Sequence, residues 1–226
     1  MCGRYTVTIE EEQFKKVLGA NAPKNHKPRY NAAPGQFLPV LTHENDLQWQ
    51  LFKWGLVPGW AQTDGVGNSA VNARIERIEE KPSFKYAFYN QRCLVIADSY
   101  YEWKGTGKNK IPYRIMKKDE SPFLMAGLWE VWNKGKKPLF TFTIITLPAK
   151  GIAAEIHDRM PAIFLKGEER AWLEKSFQPE GFEAYINQNV EQDLKMYPIT
   201  RALGSVKNDY LDLIKPSNEP IQGSLF

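Results

Sequence analysis

A cysteine stands directly after the initiator methionine in Met1-Cys2-Gly3-Arg4, and from that position the chain could do its most specific chemistry. Cysteine is small enough for methionine trimming, and loss of Met1 would place an amine of pKa about 7.7–8.0 beside a thiol of pKa about 8.5. Such a 1,2-aminothiol captures aldehydes. The amine condenses to a Schiff base, the thiolate closes onto the same carbon, and the five-membered thiazolidine outlasts the imine. Three other polar residues stand in places suited to chemistry. Glu102 ends a long apolar run, and burial would turn its carboxylate into a stronger base. His157 sits in Ile156-His157-Asp158-Arg159-Met160-Pro161, where three ionisable residues interrupt apolar ones and core packing would not choose them. Asn72 can hydrogen-bond a substrate without taking charge. Taken singly, Glu102 fits a buried ion pair, His157 a satisfied structural histidine and Asn72 a turn just as well. A rival class also remains open: an N-terminal-nucleophile amidohydrolase or thiol protease, with Cys2 attacking an amide and His157 as base.

Three histidines and two cysteines without ligand spacing give no basis for a zinc site, and no cofactor is expected. Cys2 and Cys93 lie far apart, and no N-terminal apolar region or long apolar run is present, so the expectation is a reducing, cytoplasmic and nucleoid-associated setting without a membrane span. At 226 residues and 42% hydrophobic the chain can bury a substantial core as one domain, expected to be monomeric. Its net charge of +4 permits a polyanionic partner without requiring one.

The elements that must position these groups can be read from periodicity. Thr8-Ile9-Glu10-Glu11 reads as a capping box opening a short helix that ends at Gly19. Phe37 to Leu41 and Leu47 to Trp54 read as a hairpin around Glu44-Asn45-Asp46. A helix is expected over 83–90, with Phe84 and Phe88 on one face. Arg92 to Trp103 reads as one central strand, with Tyr100 and Glu102 on the same face. Strands follow over 111–116, 123–131, 139–146 and 196–200, and helices over 151–155, 168–177, 181–188 and 209–214. The spacing implies an α+β fold: a curved, largely antiparallel, barrel-like sheet with peripheral helices.

Seven motifs in order then resemble the SRAP family, the SOS-response-associated peptidases, whose members cover abasic sites in single-stranded DNA. They are Met1-Cys2-Gly3-Arg4-Tyr5, Arg29-Tyr30-Asn31-Ala32-Ala33-Pro34-Gly35, Trp54-Gly55-Leu56-Val57-Pro58-Gly59-Trp60, Asn72-Ala73-Arg74-Ile75-Glu76, Tyr101-Glu102-Trp103-Lys104, His157-Asp158-Arg159-Met160-Pro161 and Val206-Lys207-Asn208. The resemblance implies that Cys2 is the crosslinking nucleophile and that Asn72, Glu102 and His157 complete the active site. It further implies DNA contacts from Arg4, Asn31, Pro34, Trp60, Arg74 and Arg159, the arginines on phosphates. Weak lyase activity and self-catalysed removal of Met1 are expected beside crosslinking. Some members carry a second aromatic where Ala61 stands, so Trp60 carries more of the base stacking here.

The catalytic domain is expected over 1–216, with a flexible tail over 217–226. In that tail Gln222-Gly223-Ser224-Leu225-Phe226 resembles the bacterial sliding-clamp-binding peptide, Gln222 orienting it while Leu225 and Phe226 fill an apolar pocket.

Overall fold

The apolar runs pair into two sheets joined at one sharp corner. A computed structural model describes residues 2–45 and 48–217; the termini of the chain, including Met1, Gln222, Leu225 and Phe226, lie outside them. The strands are β1 (Tyr5–Val7), β2 (Arg29–Ala32), β3 (Phe37–Thr42), β4 (Gln50–Trp54), β5 (Asn72–Arg74), β6 (Arg92–Ala97), β7 (Ser99–Lys104), β8 (Ile111–Lys117), β9 (Phe123–Trp132), β10 (Leu139–Pro148), β11 (Arg159–Pro161) and β12 (Leu194–Pro198). The α-helices are α1 (Glu11–Leu18), α2 (Pro82–Asn90), α3 (Glu169–Leu173) and α4 (Phe182–Asn189).

β3, β4, β10, β9 and β6 close on themselves. β3 runs antiparallel to β4 with Phe37 opposite Lys53, and antiparallel to β6 with Val40 opposite Val95. β6 then pairs β9, β9 pairs β10, and Thr141 and Phe142 of β10 lie parallel to Lys53 and Trp54 of β4. Closure removes the open edges that would otherwise invite aggregation. Leu38, Val40, Leu94, Ile96, Leu124, Phe142 and Ile144 are fully buried in the resulting core. Gly127 on β9 makes the closure possible, because a Cβ there would lie 2.9 Å from Cys93 Sγ and 2.9 Å from the Thr143 carbonyl. The second sheet is antiparallel, in the order β12-β8-β7-β1-β2. Among the strands named above, β10 pairs in parallel with β4 and β5, and the other pairings are antiparallel.

Five local readings are corrected. The run from Arg92 to Trp103 is two strands in different sheets, broken at Asp98. The Asp98 carboxylate accepts the Thr8 N–H and the Thr8 hydroxyl, each at 2.8 Å, and meets the Arg114 guanidinium at 3.3 Å. That bonding pins the corner which swings β7 out of the barrel. Thr8, thus engaged, does not cap α1; the box lies two residues on, where Gln13 Oε1 accepts the Glu10 N–H at 2.9 Å. The helix expected over 168–177 stops after Leu173, because the buried Arg92 guanidinium takes the carbonyls of Trp172 and Glu174 at 2.8 and 2.7 Å. The segments at 151–155 and 211–214 are 3-10 turns.

Candidate active site

Four separate segments bring together Cys2, Asn72, Glu102 and His157. Cys2 is fully buried just before β1, with its Sγ 3.9 Å from the Arg4 carbonyl, and that carbonyl in turn accepts the Tyr101 N–H of β7 at 3.0 Å. The N-terminal segment therefore lies across β7 between Tyr100 and Glu102. Asn72 opens β5, whose parallel pairing with β10 sets Asn72 opposite Ile144, and its amide donates to the Cys2 carbonyl at 2.8 Å. Asn72 Oδ1 is buried and has no hydrogen-bond partner among the described residues. Glu102 is 3% exposed on β7. His157 follows the 3-10 turn Gly151–Glu155, held by its N–H on the Ala153 carbonyl at 3.2 Å, and precedes β11.

Electrostatics tie these groups together. Burial, and secondarily the charge of Glu102, pushes the Cys2 thiol far above its ordinary range. Burial also raises Glu102, while the nearby His157 pulls it the other way. A carboxylate of raised pKa beside a thiol that resists ionisation is a base placed where one is needed. His157 Nδ1 accepts the Arg159 N–H at 3.0 Å, and the Asp158 carboxylate lies 2.7 Å from the same nitrogen. One nitrogen cannot serve both at once: a bare Nδ1 accepts from Arg159, and an Nδ1–H donates to Asp158.

The residues expected on DNA divide. Arg74 is exposed at the end of β5 and its side chain makes no hydrogen bond or salt bridge among the described residues, and Pro34 is exposed in the turn after β2. Trp60 is 58% exposed, whereas Trp54 is buried against Tyr5 and Phe142 with its indole N–H on the Val71 carbonyl. The loop carrying Trp60 is fixed from below. Trp132 Nε1 donates to the Ala61 carbonyl at 2.9 Å, Lys134 Nζ to the Trp60 carbonyl at 2.8 Å, and the Gly59 N–H to the Glu130 carboxylate. Gly55, at φ 121°, lets this loop lie against the next one, since a Cβ there would stand 2.5 Å from the Gly67 carbonyl oxygen.

Two expected DNA ligands are turned inward. Asn31 is fully buried and its amide is spent: Oδ1 accepts from Arg4 Nη1 at 2.7 Å, and Nδ2 donates to the carbonyls of Leu203, Ser205 and Asn208. Its role is to hold Arg4 and the 203–208 segment. Arg159 is 7% exposed and clamps Glu76 through both terminal nitrogens, one of them at 3.0 Å, besides donating to the Thr146 carbonyl. Burial alone would raise Glu76, but the Arg159 contact outweighs it and holds the carboxyl below its ordinary value. Arg4 is half-buried, and its bonds to Asn31 and to the Leu203 and Gly204 carbonyls fix the guanidinium in one orientation.

Sequence reasoning passed over Asp209. Its Oδ1 accepts the backbone N–H groups of Tyr30 and Asn31 at 2.7 and 3.1 Å, and Oδ2 pairs with Arg29 at 2.8 Å. The only signal was its place directly after Val206-Lys207-Asn208. Among the described residues no cluster could hold a metal ion, and no helix is long and apolar enough to cross a membrane.

A barrel with an appended antiparallel sheet, and a buried cysteine just before its first strand with an amide and a carboxylate beside it, defines a small α+β protein. The chain belongs to the SOS response associated peptidase (SRAP) family, whose model matches residues 1–206. It is 36% identical to the abasic site processing protein YoqW of Bacillus subtilis over 222 residues, covering 95% of this chain and 99% of that one. With YoaM of the same organism, also named an abasic site processing protein, it shares 35% identity over 225 residues, 96% and 99% of the two chains. A crystal structure of a protein from Bacteroides thetaiotaomicron superposes with a TM-score of 0.82 at 26% identity, covering 96% of this chain and all of that one.

Proposed function

We propose that this protein processes abasic sites in single-stranded DNA by forming a covalent thiazolidine through Cys2 once Met1 has been removed. The observation that carries the reading is the placement of Cys2 between Asn72 and the buried Glu102, with His157 close to that carboxylate. The names of the relatives, abasic site processing proteins, support the choice of lesion.

An abasic deoxyribose opens to an aldehyde. The Cys2 amine adds to its carbonyl, and Glu102 takes the proton that the nitrogen sheds and hands it to the new alkoxide oxygen, so that the carbinolamine forms and the carboxylate is free again. His157 protonates the departing hydroxyl so that water leaves and the iminium remains. The thiol then adds to the iminium carbon, the C=N electron pair returns to nitrogen, and the thiol proton passes to Glu102. Asn72 orients the reacting residue through its bond to the Cys2 carbonyl. The iminium could instead lose the 3′ phosphate by β-elimination, which makes slow strand cleavage a side reaction.

Binding is led by phosphate contacts from exposed Arg74 and oriented Arg4, with bases stacked on Trp60, and is therefore tolerant of sequence and sensitive to salt. The tail residues Gln222, Leu225 and Phe226 would tether the protein to a replication clamp and raise its concentration near exposed single strands. The decisive experiment incubates the protein with a single-stranded oligonucleotide carrying one abasic site and runs a denaturing gel. A heat-resistant adduct that Cys2→Ser abolishes supports the reading, and an equal adduct in Cys2→Ser removes it.

A further inference from the structure

Buried polar atoms without partners are uncommon in folded proteins, and each one asks for an explanation. Tyr100 is fully buried, and its hydroxyl has no hydrogen-bond partner among the described residues. It stands directly opposite Tyr5 across the β1–β7 pair and shares a face of β7 with Glu102, two residues on. Cys2 lies over the same stretch, because the Arg4 carbonyl that its Sγ approaches is the acceptor for the Tyr101 N–H. Tyr100 thus sits two residues from Glu102, in the stretch of β7 that the Cys2 segment crosses. Burial, then Cys2 and then Glu102, all hold its phenol well above the ordinary range, so it stays protonated and keeps its proton to donate in a hydrogen bond.

The geometry points to a specific role: we propose that the Tyr100 hydroxyl is the hydrogen-bond donor that steadies the Cys2 sulfur as it loses its proton during ring closure. The proposal rests on the aldehyde-capture reading above. In that step the C–S bond forms, the C=N electron pair moves to nitrogen, and the S–H proton goes to the Glu102 carboxylate. Tyr100 keeps its own proton throughout. A thiol buried this deeply has no water to stabilise charge on sulfur, and the described residues offer Sγ only the Arg4 carbonyl, which is an acceptor. Without a donor, negative charge on sulfur would have no compensation. The hydroxyl left unpartnered in the resting protein is then satisfied only as the reaction proceeds, which is where a hydrogen bond lowers the barrier instead of the ground state.

The test is Tyr100→Phe, with Tyr5→Phe as comparison, since the Tyr5 hydroxyl is equally buried and unpartnered but is influenced by Cys2 and Cys93 and not by Glu102. Closure is followed as formation of the heat-resistant adduct, and the preceding imine is trapped separately with borohydride. For Tyr100→Phe the expected result is closure slowed roughly ten- to a hundredfold, the loss of one hydrogen bond to a charged group. Imine trapping and affinity for undamaged single strands should be unchanged, the rate–pH profile should move to higher pH, and the thermal midpoint should hold or rise because an unpartnered hydroxyl is gone. Tyr5→Phe should close at the wild-type rate. Equal slowing in both variants, or slowing that tracks a fall in thermal midpoint, overturns the proposal. Absence of trapped imine in the wild-type protein overturns the aldehyde-capture reading itself, and this proposal with it.

Discussion

Replacing Glu130 by glutamine should stabilise the protein at neutral pH and leave it unchanged in acid. Glu130 is 8% exposed on β9, and burial raises its pKa from the ordinary 4.5 to about 6 even though the Gly59 N–H donates to it. The folded protein therefore binds this proton more tightly than the unfolded chain does. The stabilisation from that proton is complete below about pH 4.5 and is lost as pH rises through about 6. With about 1.4 kcal/mol for each tenfold step in protonation, the ionised carboxylate costs up to about 2 kcal/mol at pH 7.5. A glutamine carbonyl can still accept the Gly59 N–H and carries no charge to desolvate. Urea unfolding of both proteins at pH 4.5 and 7.5 should give equal stabilities in acid. At pH 7.5 the variant should gain about 2 kcal/mol, worth about 4–8 °C in thermal midpoint for a chain of this size. A variant no more stable at pH 7.5, or a difference that does not depend on pH, would show that burial does not govern this carboxylate.

Gly55→Ala should cost about 3 kcal/mol or more, read as a lowered urea midpoint, because it combines a φ of 121° with a Cβ 2.5 Å from a backbone oxygen. Arg74→Ala should weaken single-strand binding and reduce its salt slope by about 1. Arg159→Ala should instead act on the fold, because it strands Glu76 and frees the Thr146 carbonyl; its mark is a lower thermal midpoint, and an altered salt slope with an unchanged midpoint would contradict the buried-clamp assignment. Glu102→Gln should slow adduct formation by about a hundredfold or more with little change in affinity. In the wild-type protein, adduct formation should fall as pH drops through the raised pKa of Glu102, since only the ionised carboxylate accepts a proton. A variant that lost mainly affinity would assign Glu102 to binding.

What could be read from the sequence was whatever depends on local periodicity or on an unusual residue at a marked position. The β3–β4 hairpin, α2 and the strands over 111–148 announce themselves by alternating apolar residues. Cys2 stands out because its chemistry depends on its place after Met1, and Glu102 because a carboxylate ends a buried strand. Asp98 escaped notice because apolar alternation runs through it on both sides; the turn comes from distant partners, Thr8 and Arg114, that no local window contains. Asn31, Arg159 and Arg74 look alike in sequence as polar residues inside motifs. What separates them is whether a tertiary partner consumes the side chain: Arg4 and three carbonyls for Asn31, Glu76 for Arg159, and no hydrogen-bonding partner among the described residues for Arg74. Trp54 and Trp60 divide in the same way, one in the core and one in the open, although they bracket a single motif.

The central claim is that the N-terminal cysteine is the point of attachment to DNA. Purified adduct digested with a protease and a nuclease should give, by tandem mass spectrometry, an N-terminal peptide that lacks Met1 and carries the sugar remnant on Cys2 through both nitrogen and sulfur. A remnant attached to a lysine, or an adducted peptide that retains Met1, would contradict the account.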